Sequence, residues 1–156
     1  MSGDTTGLAS YALFADDLRL EANGKLFIIG MYRDDILCFG PPPWTLGIVV
    51  SVVYRAPRTD PVPATIFEIR ATTSEKTETL FTYTQEWPQG DELLYSTMPF
   101  EFEKSPTRFV QCSFNTKIVH EFKTETRLSV HVIVDGKESQ IDRIRIRQNP
   151  NLNLAG

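Results

Sequence analysis

Two pairs of adjacent aspartates are the residues of this sequence best suited to chemistry. Asp16-Asp17 and Asp34-Asp35 flank a segment that is predicted below to fold back on itself. Hard cations are bound by several oxygen ligands gathered in one region, and paired carboxylates can also act as general acid and general base. The four side chains therefore define a candidate site for Ca²⁺ or Mn²⁺, or for a carboxylate-based hydrolase.

A structural role is the simpler explanation of the same aspartates. Asp34-Asp35 can form a turn, and Asp17 can pair with Arg19. Side chains two apart share one face of a strand, so Asp17, Arg19 and Glu21 would form a ladder of alternating charge. In this interpretation the carboxylates are structural and the protein has no cofactor.

The charge ladder also belongs to a second candidate set, for an organic or protein ligand. Its members are polar or aromatic residues of the first third of the chain: Asp17, Arg19, Glu21, Tyr32 and Trp44. Trp44 follows a proline-rich turn, and it can be either a plug of the core or an anchor at an interface.

Nucleophilic catalysis has little support. His120 and His131 are the only histidines, and no nucleophile signature accompanies them. Cys112 alternates with Val110 and Phe114, which predicts a core position. No glycine-rich phosphate loop occurs. We therefore expect a protein without enzymatic activity.

Three arginines alternate near the C-terminus, at Arg143, Arg145 and Arg147. They could bind a phosphate or an acidic partner. They could equally protect an edge strand from pairing with another sheet, which the acidic overall balance favours.

The elements that must position these residues are predicted to be strands, because apolar residues recur with period two. The segment 18–29 reads as a hairpin with the two-residue turn Asn23-Gly24. That register pairs Leu20 with Phe27 and Leu18 with Ile29, and buries all four. Continued further, it sets Asp17 beside Gly30 and Asp16 beside Met31.

Further strands are predicted over 46–54, 65–72, 77–84 and 109–114, with a closing hairpin around Asp135-Gly136 and a bulge between Ile141 and Ile144. About seven to nine strands separated by turn signals indicate an all-β fold, an antiparallel, immunoglobulin-like β-sandwich. One domain over residues 9–148 is expected, with flexible ends at 1–8 and 149–156.

Composition narrows the function classes. The chain has 156 residues and a formal net charge of −4, which argues against a broad nucleic-acid surface. The longest apolar runs are too short to cross a bilayer, so no membrane association is expected. Two cysteines without zinc spacing, and no signal peptide, predict a cytoplasmic protein with reduced thiols.

The N-terminal segment resembles the opening signature of a bacterial domain family of unknown function. The resemblance is carried by Tyr11-Ala12-Leu13-Phe14, Asp16-Asp17, Arg19, Glu21, Gly24-Lys25, Ile29-Gly30 and Tyr32, with a similar closing segment at 130–136. It implies a bacterial origin and brings no activity, cofactor or catalytic residue.

Three functions are consistent with these observations. The first is a non-enzymatic binding or interaction module, with a protein partner or a second copy of the chain. The second is the metal-dependent or carboxylate-based hydrolase. The third is a component of a phage-like or secretion-like assembly, in which sandwich domains are common.

Overall fold

The computed structural model describes residues 10–90 and 109–151. Strands dominate this part of the chain, as predicted. They are β1 (Tyr11–Leu20), β2 (Leu26–Tyr32), β3 (Asp35–Cys38), β4 (Trp44–Pro57), β5 (Thr65–Thr72), β6 (Thr77–Gln85), β7 (Phe109–Phe122), β8 (Thr126–Val134) and β9 (Lys137–Gln148). No helix in the described ranges is long and apolar enough to cross a membrane.

The strands form two sheets, with the order β2-β1-β4-β7 in the four-stranded sheet and β3-β9-β8-β5-β6 in the five-stranded sheet. All neighbouring strands are antiparallel except β3 and β9, which are parallel. The predicted β-sandwich is therefore confirmed, with one parallel pair that was not expected. That pair is possible because five strands separate β3 from β9, which leaves ample chain for the crossover that parallel neighbours require.

The core lies between the two sheets. The middle of β4 is buried on both faces, since Val50 and Val52 have no exposed surface and the alternating Val49 and Ser51 are only 6% and 8% exposed. Phe67 of the five-stranded sheet is fully buried, with its ring centroid 5.3 Å from Tyr54 and 5.1 Å from Phe114 of the other sheet. Each fully buried side chain of this size stabilises the fold by roughly 1.5–3 kcal/mol.

The first hairpin exists, but its predicted register is wrong by one residue. Leu20 pairs with Leu26 instead of Phe27. The loop has three residues, because the Gly24 N–H donates to the Glu21 carbonyl and the Glu21 N–H donates to the Lys25 carbonyl, both at 2.9 Å. A two-residue turn of this kind needs positive φ at both positions, and only Gly24 has it, at 81°.

The closing hairpin follows its prediction closely. Asp135 and Gly136 have φ values of 50° and 73°, as a tight two-residue turn requires. The register of β8 on β9 shifts between Val130 and His131, which leaves Ile141 as the extra residue. The bulge predicted between Ile141 and Ile144 is confirmed at this place.

Part of the first hairpin stands away from the four-stranded sheet. β1 pairs with β4 only from Tyr11 to Ala15, whereas it pairs with β2 as far as Leu20. Residues 16–20 and 26–31, called the β1–β2 ribbon below, thus run largely as two strands alone. The predicted burial of Leu20, Phe27 and Ile29 is wrong, because these side chains are 72%, 49% and 43% exposed.

Candidate functional site

Asp16 marks the bend where β1 leaves β4, and it lies against Gly30 of β2. A Cβ atom on Gly30 would stand 2.3 Å from Oδ2 of Asp16, and the φ of Gly30 is +67°. The Tyr32 hydroxyl donates a hydrogen bond to Asp16. Burial, together with this carboxylate, raises the pKa of Tyr32 to about 12. The expected partner of Gly30 was Asp17, so the one-residue shift moves the contact to Asp16.

Asp17 forms hydrogen bonds with its neighbours in sequence. Its carboxylate accepts hydrogen bonds from the Leu18 N–H at 2.9 Å and from Nε of Arg19 at 3.3 Å. The Leu18 N–H, followed by Arg19, lowers the pKa of Asp17 below its usual value. Both charged groups are well exposed, so the ion pair itself contributes little to stability. The charge ladder is thus present as an Asp17–Arg19 pair, and Glu21 is exposed at its end.

Asp35 begins β3 instead of forming the expected turn. It accepts hydrogen bonds from Arg145 at 2.8 Å and from Arg147 at 2.8 Å on the parallel neighbour β9. The Arg145 guanidinium, assisted by that of Arg147, lowers the pKa of Asp35. Because β3 covers β9 from Arg145 to Gln148, the arginines do not guard an open edge there. The prediction that the arginines protect an edge strand is therefore wrong at Arg145 and Arg147.

The four aspartates therefore face different neighbours. Asp16 belongs to the bend of the four-stranded sheet, and Asp35 is held by two arginines on the other sheet. Asp34 is exposed and supplies its backbone carbonyl to the Arg145 N–H at 3.2 Å. Within residues 10–90 and 109–151, no three His, Cys, Asp or Glu side chains are grouped so that they could hold a metal ion.

The two aromatic members of the ligand set are placed inside the fold. Trp44 is 7% exposed, and its indole Nε1 donates to the Gly40 carbonyl at 3.1 Å. Of the two predicted alternatives, a plug of the core or an anchor at an interface, Trp44 is therefore the plug of the core. Tyr32 is half-buried and turned to Asp16. Neither side chain joins Arg19 or Glu21 at a common surface, so the set does not form one pocket.

The contacts of the two histidines favour a structural role. His131 lies 2.8 Å from the Ser129 hydroxyl, but Ser129 is only 2% exposed and cannot meet a substrate. Burial, with the nearby Arg70, lowers the pKa of His131. His120 stands 3.2 Å from Glu78 across the two sheets. Among residues 10–90 and 109–151, neither histidine therefore has an accessible nucleophile beside it.

The most unusual surface was not predicted. Large apolar side chains are exposed along the β1–β2 ribbon: Leu20 at 72%, Leu26 at 43%, Phe27 at 49%, Ile29 at 43% and Met31 at 53%. They lie on both faces of the ribbon, since alternate residues of a strand point to opposite sides. A continuous apolar run such as Leu26–Ile29 is typical of a covered central strand, so the sequence pattern alone indicates burial.

The position of β2 explains why this run is exposed. β2 is an outer strand of its sheet, and residues Leu26–Tyr32 contain no charge and no proline. Natural edge strands are usually blunted by such residues. Comparison of the chain with family models, with curated proteins and with solved structures gives no match.

Proposed function

We propose that the chain is a non-enzymatic protein-interaction module, and that its binding surface is the free edge of β2 in the β1–β2 ribbon. One observation carries this proposal. Four large apolar side chains are exposed on the outer strand β2, which lacks the usual protection against pairing, and Leu20 of β1 is exposed beside them. A two-stranded ribbon is marginally stable by itself in water, so a further strand laid on β2 would cover and stabilise it.

The backbone of β2 offers the groups that strand addition needs. The Glu21–Lys25 pair is hydrogen-bonded across the hairpin at 2.9 Å. Hydrogen-bonded and non-hydrogen-bonded pairs alternate along an antiparallel ladder. The N–H and C=O groups of Leu26 and Ile28 therefore point away from β1, to the open edge. An added strand would bind these groups and cover alternate apolar side chains.

The partner that this edge fits best is a second copy of the chain. Leu26, Phe27, Ile28 and Ile29 are all apolar, so two antiparallel copies of β2 place apolar against apolar. A two-fold axis at Ile28 sets the outward backbone groups of Ile28 against their own copies. It also sets Phe27 opposite Ile29 of the second copy.

Charge repulsion favours the register with the axis at Ile28 over the register with the axis at Ile29. With the axis at Ile29, Lys25 would stand opposite Arg33, and like charges directly opposite each other are unfavourable. With the axis at Ile28, Lys25 stands opposite Met31. The result is a closed dimer with one continuous eight-stranded sheet, because each copy uses its single β2 edge.

The test is the mass of the protein in solution, measured by light scattering on a sizing column over about a hundredfold range of concentration. We expect dimers at high concentration. Ile28→Pro removes the outward N–H without removing a bond to β1, and we expect it to raise the dimer dissociation constant at least about tenfold. Ile28→Val keeps the N–H and is the matched control.

A circular dichroism melt checks that Ile28→Pro is folded, and Phe27→Lys serves as a second variant if it is not. A wild-type chain that stays monomeric over the whole range contradicts the proposal. So does a dimer that Ile28→Pro and Phe27→Lys both leave intact. An immunoglobulin-like classification, a cytoplasmic location and a bacterial origin stay predictions from the sequence.

A further inference from the structure

The outer face of the five-stranded sheet carries a group of arginines on β8 and β9. Arg127 pairs directly with Arg145, and Arg143 occupies the next position of β9 on the same face, opposite Ser129. Side chains directly opposite in an antiparallel pair have Cβ atoms about 4.5–5.5 Å apart, and like charges there are destabilising. Arg127, Arg143 and Arg145 are called the arginine surface below.

The positive charge of this surface is only partly balanced. Arg145 shares Asp35 with Arg147. The guanidinium groups of Arg127 and Arg143 form no ion pair or side-chain hydrogen bond within the described part of the chain. Arg70, on the same face, contrasts with them, because Glu68 at 2.7 Å and Glu138 both neutralise it.

Two clefts meet at the Arg127–Arg145 pair. One has a volume of about 360 Å³ and is lined by all three arginines together with Asp34 and Asp35. The other, of about 470 Å³, lies between the β5–β6 and β7–β8 loops. Its walls include Arg127, Arg145 and Glu125 and five hydroxyl side chains: Thr72, Thr73, Ser74, Thr124 and Thr126.

We propose that the arginine surface is a binding site for a tetrahedral oxyanion, a phosphate or sulfate group of a small polar ligand, held by Arg127 and Arg145. The planar guanidinium presents paired N–H donors that match such oxygens. The hydroxyl-lined cleft then accepts the polar remainder of the ligand. A bound dianion also relieves the repulsion between the two facing arginines. This site lies on the opposite sheet from the β1–β2 ribbon and does not depend on the proposed dimer.

The probes are inorganic phosphate and sulfate, titrated in separate arms at constant ionic strength set with sodium chloride. A saturable rise in Tm is expected, about 3–6 °C when the anion is at ten times its Kd. Calorimetric titration gives the Kd of each anion. A phosphate group is assigned if phosphate binds more tightly than sulfate, and a sulfate group if the order is reversed.

Three variants locate the site. Arg127→Gln is expected to weaken binding at least about tenfold, and to raise the Tm of the anion-free protein slightly because it removes a like-charge pair. Asp35→Asn removes the carboxylate that occupies Arg145, so it is expected to tighten binding severalfold. Arg19→Gln, an exposed arginine on the other sheet, is the matched control and should leave the Kd unchanged.

Two results would overturn the proposal. One is a Tm rise that sodium chloride alone reproduces, or no saturable change up to about 50 mM anion. The other is an equal effect of Arg127→Gln and Arg19→Gln on the Kd, since that would reflect net charge and not a site.

Discussion

At the scale of single residues, Gly30 and Asp16 define the bend from which the β1–β2 ribbon begins. Gly30 has a φ of +67°, and Asp16 fills the space where a side chain would be. Tyr32 holds that carboxylate from the next position on the same face. Several residues of the N-terminal signature thus have a structural reason to be what they are, which is to turn β1 and β2 together away from β4.

We predict that Gly30→Ala destabilises the protein by about 2 kcal/mol, because a positive φ is strained for alanine and the new Cβ displaces Asp16. Gly24→Ala is the control, since Gly24 has a φ of +81° and open space around it. It should cost about 1 kcal/mol from the backbone term alone. Urea unfolding measures both. Equal costs for the two variants would show that the Asp16 contact has no energetic weight.

At the scale of elements, the short strand β3 pairs with β9, and one carboxylate adds side-chain bonds to this pairing. These contacts are called the β3–β9 clamp below. Asp35 bridges Arg145 and Arg147, and its side chain is 17% exposed. Backbone bonds continue the attachment, from the Arg145 N–H to the Asp34 carbonyl and from the Asn149 N–H to the Cys38 carbonyl. This clamp fixes the only parallel pair found within the described residues.

The clamp predicts a pH dependence of stability. The pKa of Asp35 is lower in the folded protein than the usual value of about 3.9. Its contribution is therefore complete from about pH 5 upward and is lost as the pH falls through the folded pKa. We expect Asp35→Asn to lower the free energy of unfolding by about 1 kcal/mol at pH 7, and the difference from wild type to shrink towards pH 2.

Denaturant unfolding at several pH values, in phosphate-free buffer, measures this effect. Asp34→Asn is the matched control, because the Asp34 side chain is exposed and forms no ion pair with a described residue. A difference for Asp35→Asn that is the same at pH 7 and at low pH would mean that its charge is not what stabilises the clamp.

At the scale of the whole molecule, β2 and β3 belong to different sheets but lie at the same side of the sandwich, because only two residues join them. β7 lies at the other side of the four-stranded sheet. Cys38 on β3 and Cys112 on β7 are therefore on opposite sides of the sandwich, and both are free thiols. Three strand spacings of about 4.8 Å each separate the two sides, far beyond the reach of a disulfide.

We predict that neither thiol reacts readily with a thiol reagent until the sandwich unfolds. Burial raises the pKa of Cys38, and it raises the pKa of Cys112 to about 11. Only the thiolate reacts, so at pH 8 about one Cys112 in a thousand is reactive at any time. Labelling in native buffer should be slow, and it should reach two groups per chain in urea. Fast native labelling of Cys112 would show that its sheet opens locally.

Prediction from the sequence succeeded where local chemistry decides the outcome. Period-two patterns located β5, β6 and β8, and a segment apolar on both faces located β4. The closing hairpin follows from Asp135-Gly136 and a one-residue slip in face phase. These features depend on residues within one strand or one turn. For that reason the fold class could be obtained from the sequence by itself.

The tertiary structure decided the remainder. Asn23-Gly24 and Asp135-Gly136 look alike in sequence, yet only the second pair has two positive φ values, because the loop length is set by how the strands pair. The apolar run of β2 predicts burial, and only its place at the outside of a sheet exposes it. The arginine partners of Asp35 are likewise set by the distant pairing of β3 with β9, which alternation along the chain does not encode.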